Sequence, residues 1–379
     1  MMKKVAIRRN SGYAEERNFV SLFEGYQKTR DVGHFGTIIW FILSGKAYQP
    51  FWQGFFYNPF LKVPLHSFNT IPLDSRRFIV HYETTIPRLG KNRGVIEKLL
   101  VRKLASDNCI QLIAISEAAK NLQREFLKAN HSENMDGIMA KTIVLHPPQK
   151  VLVNIKNHKE NADDFIRFCF VGRDFARKGG FEIITALSKI EREKWRLTII
   201  SDFNLRDYAT QLSEEQIIGK SEFLREFLND FSDNIELHEK IDNTKVIELI
   251  KDSDVGLLPT WADSYGYSCL EFQACGCPVI SSDVRSLPEI NNDKCGWVIP
   301  VVKNNTGLDA KINTDEDRLD FSNHLSKKLS EIFETILTNP DGRIEIYKKG
   351  LNAIDRIKIN HNPEDNINVL RPLINHMFD

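Results

Sequence analysis

Short apolar runs alternate with amphipathic segments along the first part of the chain. The predicted strands are KKVAI (3–7), VPLHS (63–67), RFIVHY (77–82) and IQLIAIS (110–116). The predicted helices include VSLFEGYQ (20–27), GVIEKLLVRKLAS (94–106) and a helix that begins after Ser116, a residue type that caps helices well. Strands that alternate with helices in this way are typical of a parallel α/β sheet.

A second series of strands follows a polar segment at 149–164, which is typical of a connection between domains. Its predicted strands are IRFCFVG (166–172), WRLTIIS (195–201), NIELHEK (234–240), DVGLLP (254–259) and PVISS (278–282). Two successive series predict an α/β chain of two Rossmann-like domains that face each other across a cleft. The expected bounds are 1–155 and 156–362, with helices near 315–338 and 342–356 and a last segment, about 363–379, that can pack back on the first domain.

Composition and charge narrow the class of protein. The chain has 379 residues with no net charge, which argues against a dedicated nucleic-acid binder. Residues 1–150 hold 22 Lys and Arg against 12 Asp and Glu. That excess of positive charge suits binding to an anionic surface or substrate. The alternative is a difference in composition between the two domains that has no functional meaning. No apolar signal core is present in the start MMKKVAIRRN, and the most apolar run, TIIWFILSG (37–45), is too short to cross a membrane. The six cysteines predict reduced thiols in the cytoplasm.

Two carboxylates distinguish the stretch PTWADSYGYSCLEFQACGC, which follows the predicted strand DVGLLP. Asp263 lies in a loop, Gly266 lets the backbone approach a ligand closely, and a helix then starts near Tyr267. The start of a helix favours an anion such as a phosphate. Here that start is formed by Ser264, Tyr265, Gly266 and Tyr267. Glu271, one turn inside the helix, suits a ribose diol. Helix capping by Asp263 and a surface ion pair for Glu271 are the structural alternatives.

Two cations follow the predicted strand IRFCFVG. The loop in FVGRDFARKGG places Arg173 and Lys178 beside the start of a helix, a combination that can clamp a diphosphate. Solvated loop charges are the alternative. Because both loops follow strands of one sheet, together they favour a site for a nucleoside diphosphate.

Other candidate motifs fail. GKS (219–221) lacks the upstream glycine of a phosphate-binding loop, and no G-x-G-x-x-G follows the first strand. Asp252 and Asp254 could bind a metal, but their place between a helix and a buried strand favours a capping role. Cys275 and Cys277 have no second pair at zinc-site spacing, so we expect them in the core.

The two stretches FVGRDFARKGG and DVGLLPTWADSYGYSCLEFQACGCPVISSDVRSLPEI resemble the donor-site signatures of glycosyltransferase family 4, retaining enzymes of the GT-B fold. The family's Glu-x7-Glu motif falls on Asp263 and Glu271, with an Asp in the first place that is about 1.5 Å shorter in reach. The first loop, RRNSGYAEER, has one glycine, Gly12, where relatives have a glycine-rich turn. The resemblance is specific over roughly 165–300 and weak over the first 150 residues.

The resemblance implies a mechanism for these residues. A nucleotide-diphosphate sugar, a co-substrate that needs no added cofactor or metal, binds the second domain. Arg173 and Lys178 neutralise the leaving diphosphate, Glu271 holds the ribose, and Asp263 with the nearby backbone holds the sugar. The resemblance also implies a histidine of the first domain near the reaction centre. His81 is the preferred candidate over His66, with Glu83 in reserve. The alternative is that the histidine only packs in the core of its domain.

The acceptor that the resemblance implies is a hydroxyl of a glycan or a lipid-linked molecule. The helix that starts at Gly94 could rest on an anionic membrane or pack on the sheet of its own domain. Near one of its faces lie Ile96, Leu99, Leu100 and Leu104, with Lys98, Arg102 and Lys103 beside that face. A nucleotide-sugar epimerase, a sugar phosphorylase and a non-catalytic nucleotide-sugar-binding module stay open as alternatives.

Overall fold

The computed structural model describes residues 4–8, 12–24, 26–29, 55–56, 58, 63–89, 94–153 and 164–379. The chain divides into two compact units. The first unit comprises Met1–Pro148 and His361–Asp379, and the second comprises Gln149–Asn360. TIIWFILSG (37–45) and most of the predicted connection at 149–164 lie outside the described residues.

A six-stranded parallel sheet forms the first unit, in the order β2-β1-β4-β6-β7-β8. Its strands are β1 (Val5–Arg8), β2 (Tyr26–Thr29), β4 (Leu65–Phe68), β6 (Phe78–Tyr82), β7 (Cys109–Ala114) and β8 (Thr142–Val144). The short strands β3 (Phe55–Phe56) and β5 (Ile71–Pro72) pair separately. The four strands predicted in this half are confirmed, since β1, β4, β6 and β7 lie at the predicted runs.

Five helices are described in the first unit. They are α1 (Tyr13–Asn18), α2 (Val95–Ala105), α3 (Glu117–Asn130), α4 (Ser132–Ala140) and, from the end of the chain, α12 (Pro363–His376). Ser116 caps α3 as predicted, because its side chain accepts a hydrogen bond from the Ala119 N–H at 3.0 Å. Leu100 and Leu104 of α2 are fully buried in the core, so this helix packs its apolar face on its own unit.

The predicted helix at 20–27 is wrong. Val20–Leu22 form a single 3-10 turn, and the chain re-enters the sheet at Tyr26 as β2, in parallel register with β1. The backbone leaves the helical conformation at Phe19, whose φ is −150°. Phe19 is wholly buried and stacks on the His66 ring, with ring centroids 3.9 Å apart. Tertiary packing therefore overrides the local helical pattern.

The second unit contains another six-stranded parallel sheet, in the order β11-β10-β9-β12-β13-β14. The strands are β9 (Ile166–Val171), β10 (Trp195–Ile200), β11 (Ile235–His238), β12 (Val255–Leu258), β13 (Val279–Ser282) and β14 (Gly296–Ile299). The first five were predicted and are confirmed. The strand order reverses between β9 and β12, which is the point where parallel α/β sheets bind ligands.

Seven helices are described in the second unit. They are α5 (Gly180–Leu187), α6 (Glu214–Asp230), α7 (Asn243–Lys251), α8 (Tyr267–Ala274), α9 (Leu287–Ile290), α10 (Asp315–Thr338) and α11 (Gly342–Asn360). The sequence analysis did not predict α6, in which only two of the apolar side chains, Leu224 and Phe227, are buried. GKS (219–221) lies within α6, so it is not a phosphate-binding loop.

Two predictions about acidic and sulfur side chains agree with the structure. Asp252 forms the C-cap of α7. The Asp254 carboxylate, which was also expected to cap a helix, instead accepts a hydrogen bond from the Arg167 N–H of β9 at 2.8 Å. Cys275 and Cys277 are buried free thiols. Among the described helices, none is long and apolar enough to cross a membrane.

Candidate functional site

Two loops meet at the reversal point of the second sheet. Strands β9 and β12 are direct neighbours, with Phe170 opposite Leu257. The loop after β9, residues 172–179, contains Arg173 and Lys178, and the loop after β12, residues 259–266, contains Asp263. The fold therefore brings together the two motifs that the sequence analysis selected.

Close backbone packing joins the two loops. Gly179 has a positive φ of +86°, and a Cβ at this position would lie 2.2 Å from the Pro259 carbonyl oxygen. A side chain is therefore excluded both by space and by backbone conformation. The glycine lets the start of α5 lie directly against the end of β12.

Arg177 holds the two loops in place, a role that the sequence analysis did not assign. Its guanidinium donates to the Ala262 carbonyl at 2.6 Å and to the Asp174 carboxylate at 3.1 Å. Its own carbonyl accepts hydrogen bonds from the Trp261 N–H at 2.9 Å and from the Thr260 hydroxyl at 3.1 Å. Arg177 thus connects the two loops through hydrogen bonds of both its backbone carbonyl and its side chain.

Lys178 and Asp263 form an ion pair between the same two loops. Their side chains are only 13% and 15% exposed. Burial raises the pKa of Asp263, but the Lys178 ammonium, assisted by Arg177, outweighs it and holds that pKa below its ordinary value. Asp263 is therefore an ionised carboxylate, and Asp263 also accepts a long hydrogen bond, 3.4 Å, from the Tyr265 N–H.

Arg173 differs from Lys178 in its surroundings. Its side chain is 94% exposed and lies 3.9 Å from the Asp202 carboxylate. The two predicted cations therefore share a loop, but one is anchored in an ion pair and the other extends into solvent. A long, exposed guanidinium can reorient toward an anionic ligand at little cost to the fold.

Helix α8 starts beside the ion pair. Gly266 is its N-cap, with a φ of +98° and no side chain to cap the helix. The Ser286 hydroxyl fixes the turn before it by donating to the carbonyls of Ser264 and Tyr265, each at 3.0 Å. An uncapped helix start favours a negatively charged group.

Glu271 and two tyrosines complete the second-unit residues predicted for the site. Glu271 lies in the second turn of α8 and is only 6% exposed, so it is not the surface carboxylate of the alternative interpretation. Tyr265 is fully buried, and its ring lies 5.5 Å from that of Tyr267, measured between centroids. Within this unit the structure thus places all the predicted second-domain residues on two adjacent loops and one helix.

Two of the first-unit candidates, His66 and His81, belong to an aromatic cluster of that unit. His66 and His81 lie on the adjacent strands β4 and β6 with ring centroids 4.9 Å apart, and both are buried. His66 Nδ1 shares a 2.7 Å hydrogen bond with the Tyr26 hydroxyl. Among the described residues, neither ring nitrogen of His81 has a hydrogen-bond partner. Burial lowers the pKa of His81 to about 3, so the ring is neutral at physiological pH.

The remaining first-unit candidates have structural partners. Glu83 pairs with Arg88 and accepts a hydrogen bond from the Asn69 amide at 3.2 Å. Gly12 is the N-cap of α1, and its N–H donates to the Glu15 carboxylate at 3.0 Å. In the part of the chain that the structure describes, no group of three or more His, Cys, Asp or Glu side chains is arranged to hold a metal ion.

Comparison with known proteins agrees with this geometry in the second unit. Residues 153–330 match the model of the glycosyl transferases group 1 family. The matched segment contains both loops and α8. An uncharacterized glycosyltransferase of Methanocaldococcus jannaschii is 30% identical over 151 residues, which cover 39% of this chain and 35% of that protein. The aligned segments cover about a third of the length of the curated relatives.

Solved structures extend the likeness to the whole fold. Sucrose-phosphate synthase from Thermosynechococcus elongatus superposes with a TM-score of 0.60, at 13% identity, over 100% of this chain and 99% of that one. The Anabaena protein Alr3699/HepE in complex with UDP superposes with a TM-score of 0.57, at 12% identity, over 99% of this chain and 100% of that one. The two parallel α/β sheets therefore agree with the GT-B fold class that the sequence predicted.

Proposed function

We propose that this protein is a retaining glycosyltransferase that moves a hexose-type sugar from a nucleotide-diphosphate sugar to a hydroxyl of a glycan or lipid-linked acceptor. The observation that carries the proposal is the ion pair of Lys178 with Asp263 beside the start of α8, at the reversal point of the sheet. The match of this segment to glycosyl transferases group 1 supports the reaction class. UDP bound to Alr3699/HepE, a protein of the same fold, supports a nucleotide donor.

The diphosphate is the group that the cations would bind. Its negative charge suits Lys178, Arg173 and the uncapped start of α8. As the bond between sugar and diphosphate breaks, charge develops on the leaving oxygen, and preorganised cations stabilise it. Charge stabilisation of this kind would make a divalent metal unnecessary.

Two carboxylates would position the rest of the donor. Glu271 would accept hydrogen bonds from both hydroxyls of the ribose, because a carboxylate has two oxygens that can each accept one. Asp263 would accept a hydrogen bond from the sugar once Lys178 turns to the diphosphate. Asp is one methylene shorter than the Glu of the family motif, so we propose that it selects a different sugar hydroxyl.

His81 is our candidate from the first unit, on the basis of the family resemblance. Its ring is neutral, and its two nitrogens have no hydrogen-bond partner among the described residues, so it could accept a hydrogen bond from a sugar hydroxyl or donate one to it. We further propose that the protein works in the cytoplasm on glycan or polysaccharide synthesis. The six buried free thiols support a reducing compartment.

A panel of nucleotide sugars tests the proposal. The protein is incubated with each donor, with and without glycan acceptors, and free nucleoside diphosphate is measured. We expect release that rises with acceptor, a product with the donor's anomeric configuration by NMR, and full activity in EDTA. A donor converted without any acceptor product would favour an epimerase, binding without turnover would favour a non-catalytic module, and phosphate-dependent cleavage would favour a phosphorylase.

A further inference from the structure

Asn69 and Glu83 form a polar network at the carboxyl edge of the first unit's sheet. Asn69 directly follows β4 and Glu83 directly follows β6, and these two strands are neighbours, with Phe68 opposite His81. The order of this sheet reverses between β1 and β4, one strand away. In parallel α/β sheets this edge is where ligands bind. The network therefore lies where the first unit would bind a ligand of its own.

Asn69 holds the end of the neighbouring strand at three points. Its backbone N–H donates to the His81 carbonyl at 2.7 Å. Its side-chain amide donates to Glu83 Oε1 at 3.2 Å and accepts from the Glu83 N–H at 3.3 Å. The φ of Asn69 is +55°, in the left-handed region that Asn enters more readily than most residues. The residue type thus suits both the turn and the contact with Glu83.

Gln123 of α3 fixes the same loop at a second point. Its amide accepts from the Ile86 N–H at 2.7 Å and donates to the Ile86 carbonyl at 2.8 Å. Gln123 is fully buried. The loop that contains Glu83 and Arg88 is therefore held in place in the absence of a ligand. Groups that are held in this way bind a ligand at a lower entropic cost.

The two oxygens of the Glu83 carboxylate differ in their partners. Oε1 accepts hydrogen bonds from both the Asn69 amide and the Arg88 guanidinium. Oε2 accepts none from the residues that the structure describes, and it does not belong to the buried polar atoms that lack a partner. The side chain of Glu83 is 17% exposed and that of Arg88 is 51% exposed. A ligand can therefore reach an acceptor oxygen and a donor guanidinium side by side.

This combination of groups selects a neutral ligand with hydroxyls. A carboxylate only accepts hydrogen bonds, and a guanidinium only donates them. Glu83 repels an anionic ligand that Arg88 would attract, and Arg88 repels a cationic ligand that Glu83 would attract. Two neighbouring hydroxyls of a sugar satisfy both groups, because one donates to Oε2 while the other accepts from the guanidinium.

We propose that Glu83 and Arg88 bind two hydroxyls of a neutral sugar in the acceptor glycan, and that Asn69 is the positioning residue that holds Glu83. That this sugar belongs to the acceptor rests on the proposed function, which assigns the donor to the second unit. The acceptor is thereby narrowed to glycans that present a neutral hexose to the enzyme, in preference to a hexuronic acid or a phosphorylated sugar.

Saturation-transfer NMR of the full-length protein tests the binding without turnover. The probes are methyl glycosides of neutral hexoses and of the corresponding hexuronic acids. We expect saturable binding of at least one neutral glycoside. Its hexuronic acid counterpart should bind roughly tenfold more weakly, since like charges face each other.

Three variants assign this binding to the network. Glu83→Gln keeps the shape of the side chain, and it should bind the neutral glycoside roughly tenfold more weakly and lose most of the discrimination against the hexuronic acid. Asn69→Gly keeps the left-handed turn but removes the amide, and should weaken binding roughly threefold. The control Glu125→Gln, at an exposed position of α3, should bind as the wild type does.

Kinetics separate this proposal from the proposed function. For a donor and acceptor pair found by the nucleotide-sugar panel, Glu83→Gln should raise the KM for a neutral acceptor roughly tenfold, with unchanged donor affinity in calorimetry. A general loss of structure would instead weaken the binding of donor and acceptor together. Saturable binding of a neutral glycoside by a protein that transfers no sugar would support the sugar site and contradict the transfer reaction.

Three results would overturn the proposal. The first is a wild-type protein that binds no neutral glycoside. The second is equal binding of the neutral glycoside by the wild type and Glu83→Gln. The third is a wild-type preference for hexuronic acids, which would assign this edge of the sheet to an anionic acceptor.

Discussion

Lys178 and Asp263 neutralise each other across the two loops at the centre of the second unit's sheet. The pair links the only lysine of the β9 loop to Asp263, the first acidic residue of the loop after β12. A diphosphate that takes Lys178 must release Asp263 for another partner, and a sugar hydroxyl is the nearest chemical candidate. The same contact thus stabilises the free protein and would connect the binding of the two halves of a donor.

A double-mutant cycle measures this pair. Lys178→Met leaves a buried carboxylate without its cation and should lower the free energy of unfolding by about 3 kcal/mol. Adding Asp263→Asn should recover part of that loss, with a coupling of about 0.5–3 kcal/mol. Urea unfolding of the two single variants and the double variant gives the values. The exposed pair Lys245–Glu248 is the control, and Lys245→Met should change the free energy of unfolding much less. Additive effects at 178 and 263 would mean that the pair is energetically irrelevant.

Arg173 offers a test of catalysis without a folding complication. Its side chain is exposed, so Arg173→Ala should leave the unfolding midpoint unchanged. Turnover should fall on the order of 10²–10³-fold, as for loss of one charged donor to the transition state. Steady-state kinetics with the donor found by the panel provide the measurement. Arg225→Ala, at an exposed position of α6, serves as the matched control, and a normal kcat for Arg173→Ala would remove this residue from the clamp.

The histidine cluster should make stability depend on pH. The pKa of His81 is lowered to about 3 in the folded state, against about 6.5 in an unfolded chain. Between these values the unfolded state binds a proton that the folded state does not, so stability falls as the pH is lowered from about 6.5 toward 3. His66, whose pKa burial also lowers, acts in the same direction.

Unfolding in urea at a series of pH values checks this expectation. His81→Leu should reduce the slope of stability against pH in this range, while His376→Gln, an exposed histidine of α12, should not. An identical slope for wild type and His81→Leu would show that His81 is protonated in the folded protein.

Contact of α2 with a membrane surface stays a prediction. The face of α2 that could make this contact differs from the Leu100 and Leu104 face considered in the sequence analysis. Leu100 and Leu104 are in the core, but Val95 and Leu99 are 85% and 47% exposed, in line with exposed Lys98 and Arg102. We expect cosedimentation with anionic liposomes that falls with salt, because screening shortens the reach of charges to about 8 Å at physiological ionic strength. Leu99→Glu should abolish it, and Leu319→Glu, exposed on α10, is the control. Binding that ignores lipid charge and salt would contradict this contact.

The sequence predicted the strands around the site better than the site's internal contacts. Strands β9 and β12 are buried apolar runs that end in polar loops, so their position followed from pattern alone. The spacing of Arg173, Arg177 and Lys178 could not show which of these three cations bridge the two loops. Arg177 does so because the carbonyl of Ala262, 85 residues away, lies within reach of its guanidinium. Lys178 does so through its ion pair with Asp263. Likewise, β2 is a strand because it pairs with β1, a contact that its own helical pattern does not indicate.

Glu271→Gln, assayed with the nucleotide-sugar panel, tests the central claim most directly. The substitution keeps the shape of the side chain and removes the charge that would accept the two ribose hydroxyls. For the donor that the wild-type protein cleaves in the presence of acceptor, calorimetry should show an affinity roughly 10- to 100-fold weaker in the variant, with an unchanged unfolding midpoint. An equal donor affinity in both proteins, or a wild-type protein that binds no nucleotide sugar, would contradict the assignment of this site to a glycosyltransferase donor.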